Sequence, residues 1–225
     1  MAGTRIFIQG MIKTKFLVKT GVVILLGVLM LTSVYPHTVY AHNDEDEGSY
    51  DFSQFENLPP FRNIPWGASR EYVLENDDSQ RIETGENYLV LRNELGDLDM
   101  DITYYFWRDH FVKGVYVSNE ELGSYESYIQ NYRRLKDLLD QKYGEPLLDL
   151  RRWADHTYQN RSDRWLTALS NGHLEHFAFW EEEELIISIR LGSVDQRPTI
   201  ELEYYIRDFE QEMDQTDDSE ILENL

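Results

Sequence analysis

Residues Leu98–Ser118 read LDMDITYYFWRDHFVKGVYVS. Leu98, Met100, Ile102, Tyr104 and Phe106 recur at every second position, with Asp99, Asp101, Thr103, Tyr105 and Trp107 between them. Period-two alternation sends the two sets to opposite faces of a strand. Trp107–His110 supplies a turn centred on Arg108 and Asp109. Neither is glycine, so a tight primed turn is weakly signalled, although aspartate tolerates left-handed backbone. Folding there pairs Phe106 with Phe111, Tyr104 with Lys113, Ile102 with Val115 and Met100 with Val117. One face is then apolar and covers a core. The other carries Asp99, Asp101, Thr103, Tyr105 and Trp107 beside Tyr116, Gly114, Val112 and His110. A slip of one residue would turn the apolar set outward, so the register is expected to be firmly held.

Upstream, Lys13, Lys15 and Lys19 precede the apolar run Gly21–Leu31, and Val39-Tyr40-Ala41 offers residues that a signal peptidase reads. Residues 1–41 are expected to be a signal peptide, cleaved after Ala41. Counting from Met11 gives a more ordinary leader than counting from Met1. An uncleaved anchor is the alternative, but the run falls short of the ~20 residues a span needs. The leader holds four bases and no acids, which leaves 17 basic against 42 acidic residues, a net charge of −25. That field argues against nucleic acid and against anionic membrane surfaces, and for a basic partner or a salt-adapted surface. With no cysteine in the chain, disulfides, thiolate metal sites and cysteine nucleophiles are excluded.

Residues 42–60 open with NDEDEG and close with LPP, and read as an acidic disordered linker. Cleavage would make His42 the N-terminus, where a histidine can chelate copper. A ligand on a flexible tail offers no fixed geometry, so no metal or cofactor is expected. Ser69 caps a short helix to about Glu75. Weak strands follow at 80–83 and 88–92. Ser124 begins a helix to Tyr143, with Tyr125, Tyr128, Ile129, Tyr132, Leu135, Leu138 and Leu139 as its inward stripe and Gly144 and Pro146 as its stop. Residues 145–160 carry no clear pattern; Leu147, Leu148, Leu150 and Trp153 are expected to be buried, with a strand as one way to do so, and a short helix at 161–170 comes next.

Leu174, His176, Ala178 and Trp180 alternate into a second hairpin. Glu181–Glu184 forms the turn, and Leu185, Ile187, Ile189 and Leu191 return. Thr199–Ile206 alternates again, and residues 208–225 form an acidic tail. The chain therefore presents two similar halves, about 61–120 and 121–207, each a helix leading into an antiparallel meander. The expected fold is α+β: a shared or paired antiparallel sheet with helices on one face.

FRNIPWGASREYV (Phe61–Val73), YYFWRDHFVKGVYV (Tyr104–Val117), YIQNYRRLKDLLDQKYGEP (Tyr128–Pro146) and FAFWEEEELIISIRL (Phe177–Leu191) resemble a loose class of exported bacterial proteins. These share a Trp-Gly-x-Ser opening and a Lys-Tyr-Gly-x-Pro helix end. More distantly, the tandem of helix and meander is similar to the fold of the β-lactamase-inhibitor protein and of small outer-membrane assembly lipoproteins. The resemblance implies binding of proteins and no catalysis. This chain lacks their lipidated cysteine and their disulfides, so it does not carry over a specific partner.

The candidate site residues are Tyr105, Trp107 and Tyr116, expected on the outer face, with Asp99 and Asp101 about 7 Å apart on the same face by strand rise. Helices covering this face would make those aromatics core; left exposed, such rows suit a glycan or a protein partner. Two carboxylates at that spacing would suit a glycan hydrolase, but the solvated face of an antiparallel strand also wants acids. The tetrad Glu181–Glu184 splays at a hairpin tip rather than converging as a calcium site does. His176 faces inward as a hydrogen-bonded core histidine. The expected function is non-enzymatic binding, through a sheet surface, of another envelope or extracellular macromolecule. It excludes nucleic acid and stable membrane insertion after cleavage. A cell-wall glycan hydrolase or binder and a structural envelope protein are the alternatives.

Overall fold

The computed structural model describes residues 50–209. The expected leader, its cleavage site, His42 and all but the first two residues of the acidic tail lie outside that range. Eight strands form one antiparallel sheet: β1 (Gln80–Thr84), β2 (Tyr88–Leu95), β3 (Leu98–Trp107), β4 (His110–Ser118), β5 (Leu148–Trp153), β6 (Leu174–Glu182), β7 (Leu185–Val194) and β8 (Arg197–Ile206). Their order is β1-β2-β3-β4-β8-β7-β6-β5, so β4 and β8 meet in the middle and β1 and β5 are the edges. Helices α1 (Arg70–Asn76), α2 (Tyr125–Tyr143) and α3 (Trp165–Ser170) complete an α+β architecture.

Local chemistry fixes the helix ends. The Ser69 side chain accepts the Tyr72 amide, and the Ser124 side chain accepts the Ser127 amide. Gly144 closes α2 at φ 83°, a left-handed conformation that favours glycine. Tyr128, Ile129, Tyr132, Leu135 and Leu139 form the buried stripe of α2. Leu138, assigned to that stripe by periodicity, points outward and is exposed.

The core lies between the helices and one face of the sheet. Val73, the α2 stripe and Leu169 pack with Leu89, Leu91, Met100, Ile102, Tyr104, Ala178, Ile187, Ile189, Leu202 and Ile206. Residues 50–60, expected as linker, contribute to this core. A 3-10 turn at Phe52–Phe55 buries Phe55, and Leu58 is buried after it. Phe209, expected at the start of the tail, is also buried, stacked on Phe52 at 5.6 Å. Apolar burial outweighs the acidic, proline-ended composition that suggested disorder.

Two hairpins depart from expectation in different ways. Around Arg108-Asp109 the turn is the tight two-residue form, with φ 47° and 65°, and Phe106 pairs Phe111 as anticipated. A bulge between Tyr105 and Phe106 then moves the register by one residue, so Tyr104 faces Gly114, Ile102 faces Tyr116 and Met100 faces Ser118. In the second hairpin Glu182 pairs Leu185 and Trp180 pairs Ile187, whereas folding about a Glu181–Glu184 turn would set Trp180 against Leu185, two residues away. A two-residue shift preserves every face assignment; a one-residue shift exchanges them.

Candidate functional site on the open sheet face

The bulge decides which side chains face away from the helices. Tyr116 lies on the core face, buried and 5.0 Å from the Phe61 ring. Its expected place beside Tyr105 and Trp107 is corrected by that finding. Lys113, Val115 and Val117 take the outer face instead, opposite Tyr105, Thr103 and Asp101. Gly114 joins Tyr116 on the inner face, where a Cβ would stand 2.7 Å from Phe61 ring atoms.

Among the described residues no helix crosses the outer face, and its side chains fall into rows across the sheet. One row runs Tyr88, Tyr105, Lys113, Tyr205, Ile186 and Glu181. The next runs Val90, Thr103, Val115, Glu203, Ser188, Phe179 and Leu148. A third runs Arg92, Asp101, Val117, Glu201, Arg190, Phe177 and Leu150. Thr103, Val115 and Ser188 are short and nearly inaccessible, so longer neighbours stand over them and the middle of the face is a low floor.

Charged side chains are buried on that floor. Glu201 is 3% exposed, and its Oε2 accepts hydrogen bonds from Arg190 Nε at 2.9 Å and Nη2 at 2.5 Å. Its Oε1 is buried and accepts none. Burial, with the nearby Glu203 charge, pushes the Glu201 carboxyl above its ordinary range, against the pull of Arg190. Arg190 also reaches Glu175 Oε1 at 3.5 Å, and Arg152 pairs with Glu175 Oε2 at 2.5 Å. The Lys113 ammonium sits 3.6 Å from Glu203 Oε2, beyond hydrogen-bonding range, and 5.9 and 5.7 Å from the Tyr105 and Tyr205 rings.

The expected site residues are dispersed rather than convergent. Tyr105 is half-buried on the outer face next to Lys113, and burial together with Glu203 and Glu201 raises its hydroxyl pKa. Asp101 accepts two hydrogen bonds from Arg92, at 2.8 and 3.1 Å. Asp99 stands opposite Glu94 near the sheet's corner. Trp107 packs 5.8 Å from Tyr50 and 5.1 Å from Phe209, with the Arg108 guanidinium 4.5 Å over its ring. Phe177 and Phe179 are half-buried and face the same side as Glu201. His176 is buried on the helix side, with its Nε2 2.9 Å from the Tyr125 hydroxyl.

Among the described residues no three His, Asp or Glu side chains converge in a metal-holding group. No described helix is long and apolar enough to cross a membrane. Glu201, Glu203, Lys113 and Arg190 were the residues that sequence reasoning passed over. The outward alternation of Arg190 on β7 and of Glu201 and Glu203 on β8 was visible; that β8 lies beside β4, and that the bulge turns Lys113 outward, was not.

No family model, curated protein or solved structure matches the chain.

Proposed function

We propose that this is an exported, non-enzymatic protein that binds another macromolecule through the open face of its sheet. The observation carrying this reading is the asymmetry of the sheet. One face is roofed by helices, while the other holds half-buried aromatics around a floor of charged side chains. Aromatic rings bring contact area at low conformational cost, and a charged floor brings directional discrimination between partners. On this reading, β1–β4 with α1 and β5–β8 with α2 are two similar halves whose joining at β4 and β8 creates one continuous binding face. The reading as a glycan hydrolase or glycan binder is weaker. Asp101 is engaged by Arg92, and the Trp107 ring is packed against Tyr50 and Phe209 instead of offering a sugar platform. A purely structural role in the envelope is the third reading, and it gives no reason for buried charge on a face that no described helix covers.

The test compares Phe177→Ser/Phe179→Ser with Leu138→Ser, which alters the outer side of α2. Partner capture from the host's extracellular or envelope fraction should be lost by the first variant and kept by the second. Capture kept by the sheet variant would remove the open face from the interaction. Hydrolysis of cell-wall glycan that disappears in Asp99→Asn/Asp101→Asn, with folding intact, would instead establish the enzymatic reading.

A further inference from the structure

Resting on the open-face reading, we infer that the face receives an arginine side chain from a basic segment of a protein partner, seated against Glu203 and Glu201. Among the described residues, the two carboxylates in the middle of the face are left short of hydrogen bonds. Glu203, itself nine-tenths buried, has Lys113 at 3.6 Å as its ion-pair partner and accepts no hydrogen bond in the described structure. Behind it, Glu201 Oε1 is a buried acceptor without a donor. A buried carboxylate oxygen left unpaired costs more than an ordinary hydrogen bond contributes, so the site gains from any group that supplies N–H. With no third carboxylate or histidine converging among the described residues, the pair favours a directional donor over a metal ion.

The surroundings select a planar cation. Tyr105 and Tyr205 already flank a charged nitrogen, Lys113, and aromatic faces stabilise guanidinium at such distances. Guanidinium offers five donors in a fixed fork that matches a carboxylate, whereas the Lys113 ammonium does not reach bonding range. Across the outer rows carboxylates outnumber cations, and the whole chain carries a formal charge of −21. A basic segment would thus be drawn to the protein before it docks.

Titration of the full chain with an (Arg-Gly)4 peptide, at physiological salt, tests this. Glu203→Gln and Glu201→Gln should each weaken binding at least tenfold. Glu71→Gln, an exposed acid on α1, should leave it unchanged, and a (Glu-Gly)4 peptide should not bind. Lys113→Met should tighten binding several-fold by removing the competing cation. That gain distinguishes the site from a variant that merely misfolds. Absence of binding, equal loss in Glu71→Gln, or weaker binding in Lys113→Met would overturn the inference. A macromolecular partner captured through Phe177 and Phe179 but not displaced by the arginine peptide would overturn it and leave the open-face function standing.

Discussion

At the residue scale two groups are held far from their ordinary ionisation. Asp77 follows α1, with its side chain only 2% exposed. Burial alone would raise its pKa, but Arg62, Ser79 and Tyr104 together hold it down to about 2. The Arg62 bond is 2.9 Å and the Tyr104 hydroxyl donates at 2.5 Å, tying the segment before α1 to β3. Burial of His176, together with Arg151 and Arg133, lowers its pKa to about 4. Each group releases its proton more readily in the folded chain than in the unfolded one. Each therefore stabilises the fold at neutral pH and withdraws that stabilisation as acid is added. The His176 share is lost between about pH 6.5 and 4, and the Asp77 share between about pH 4 and 2, on the order of 2–3 kcal/mol each. Urea denaturation across pH should show both windows. His176→Gln should flatten the upper and Asp77→Asn the lower; an unchanged upper window in His176→Gln would contradict the assignment.

At the element scale the β3–β4 turn works against its own sequence. Arg108 and Asp109 both hold positive φ, which glycine or asparagine adopts at lower cost. The Arg108 contact with Trp107 and the Arg70–Asp109 pair at 3.9 Å partly offset this. Asp109→Gly should raise stability by about 0.5–1 kcal/mol, read as a higher thermal midpoint; a lower midpoint would mean that the Arg70 contact outweighs backbone strain. The elements themselves were legible beforehand, because capping serines, a terminal glycine and clean alternation act locally. The bulge was not. Val112, the residue left over between the Phe106–Phe111 and Tyr105–Lys113 pairs, is as apolar as its neighbours, and nothing in the alternation marks it as extra. That single residue transfers Tyr116 to the core and brings Lys113 to the open face. The candidate site was consequently half readable: Tyr105 and the outward acids of β3 could be placed, whereas the Glu203–Lys113 contact depends on β8 lying beside β4.

At the scale of the whole molecule, β4 and β8 form a seam through the pairs from Lys113↔Tyr205 to Val117↔Glu201. One core cluster spans both sides of it. A continuous sheet over a shared core should unfold as a unit. Tyrosine fluorescence and far-UV circular dichroism should therefore report one coincident thermal transition. Leu202→Ala, a cavity at the seam, should lower that transition by about 2–4 kcal/mol without dividing it. Two resolved transitions would show that the sides of the seam fold independently.

The aromatic cluster of Tyr50, Phe52, Phe55, Trp107 and Phe209 has a bearing on chain connectivity. The Tyr50 hydroxyl donates to Asp208 at 3.1 Å, and its ring lies 4.9 Å from Phe209. The first and last described residues of the domain are thus neighbours in space, fastened by the rings that also cover Trp107. A chain trimmed to residues 50–209 could therefore be joined at these two points and opened elsewhere. The Gly85–Asn87 link between β1 and β2 is a natural place to open one. The order in which the strands are written along the chain is, in this sense, separable from the sheet they build.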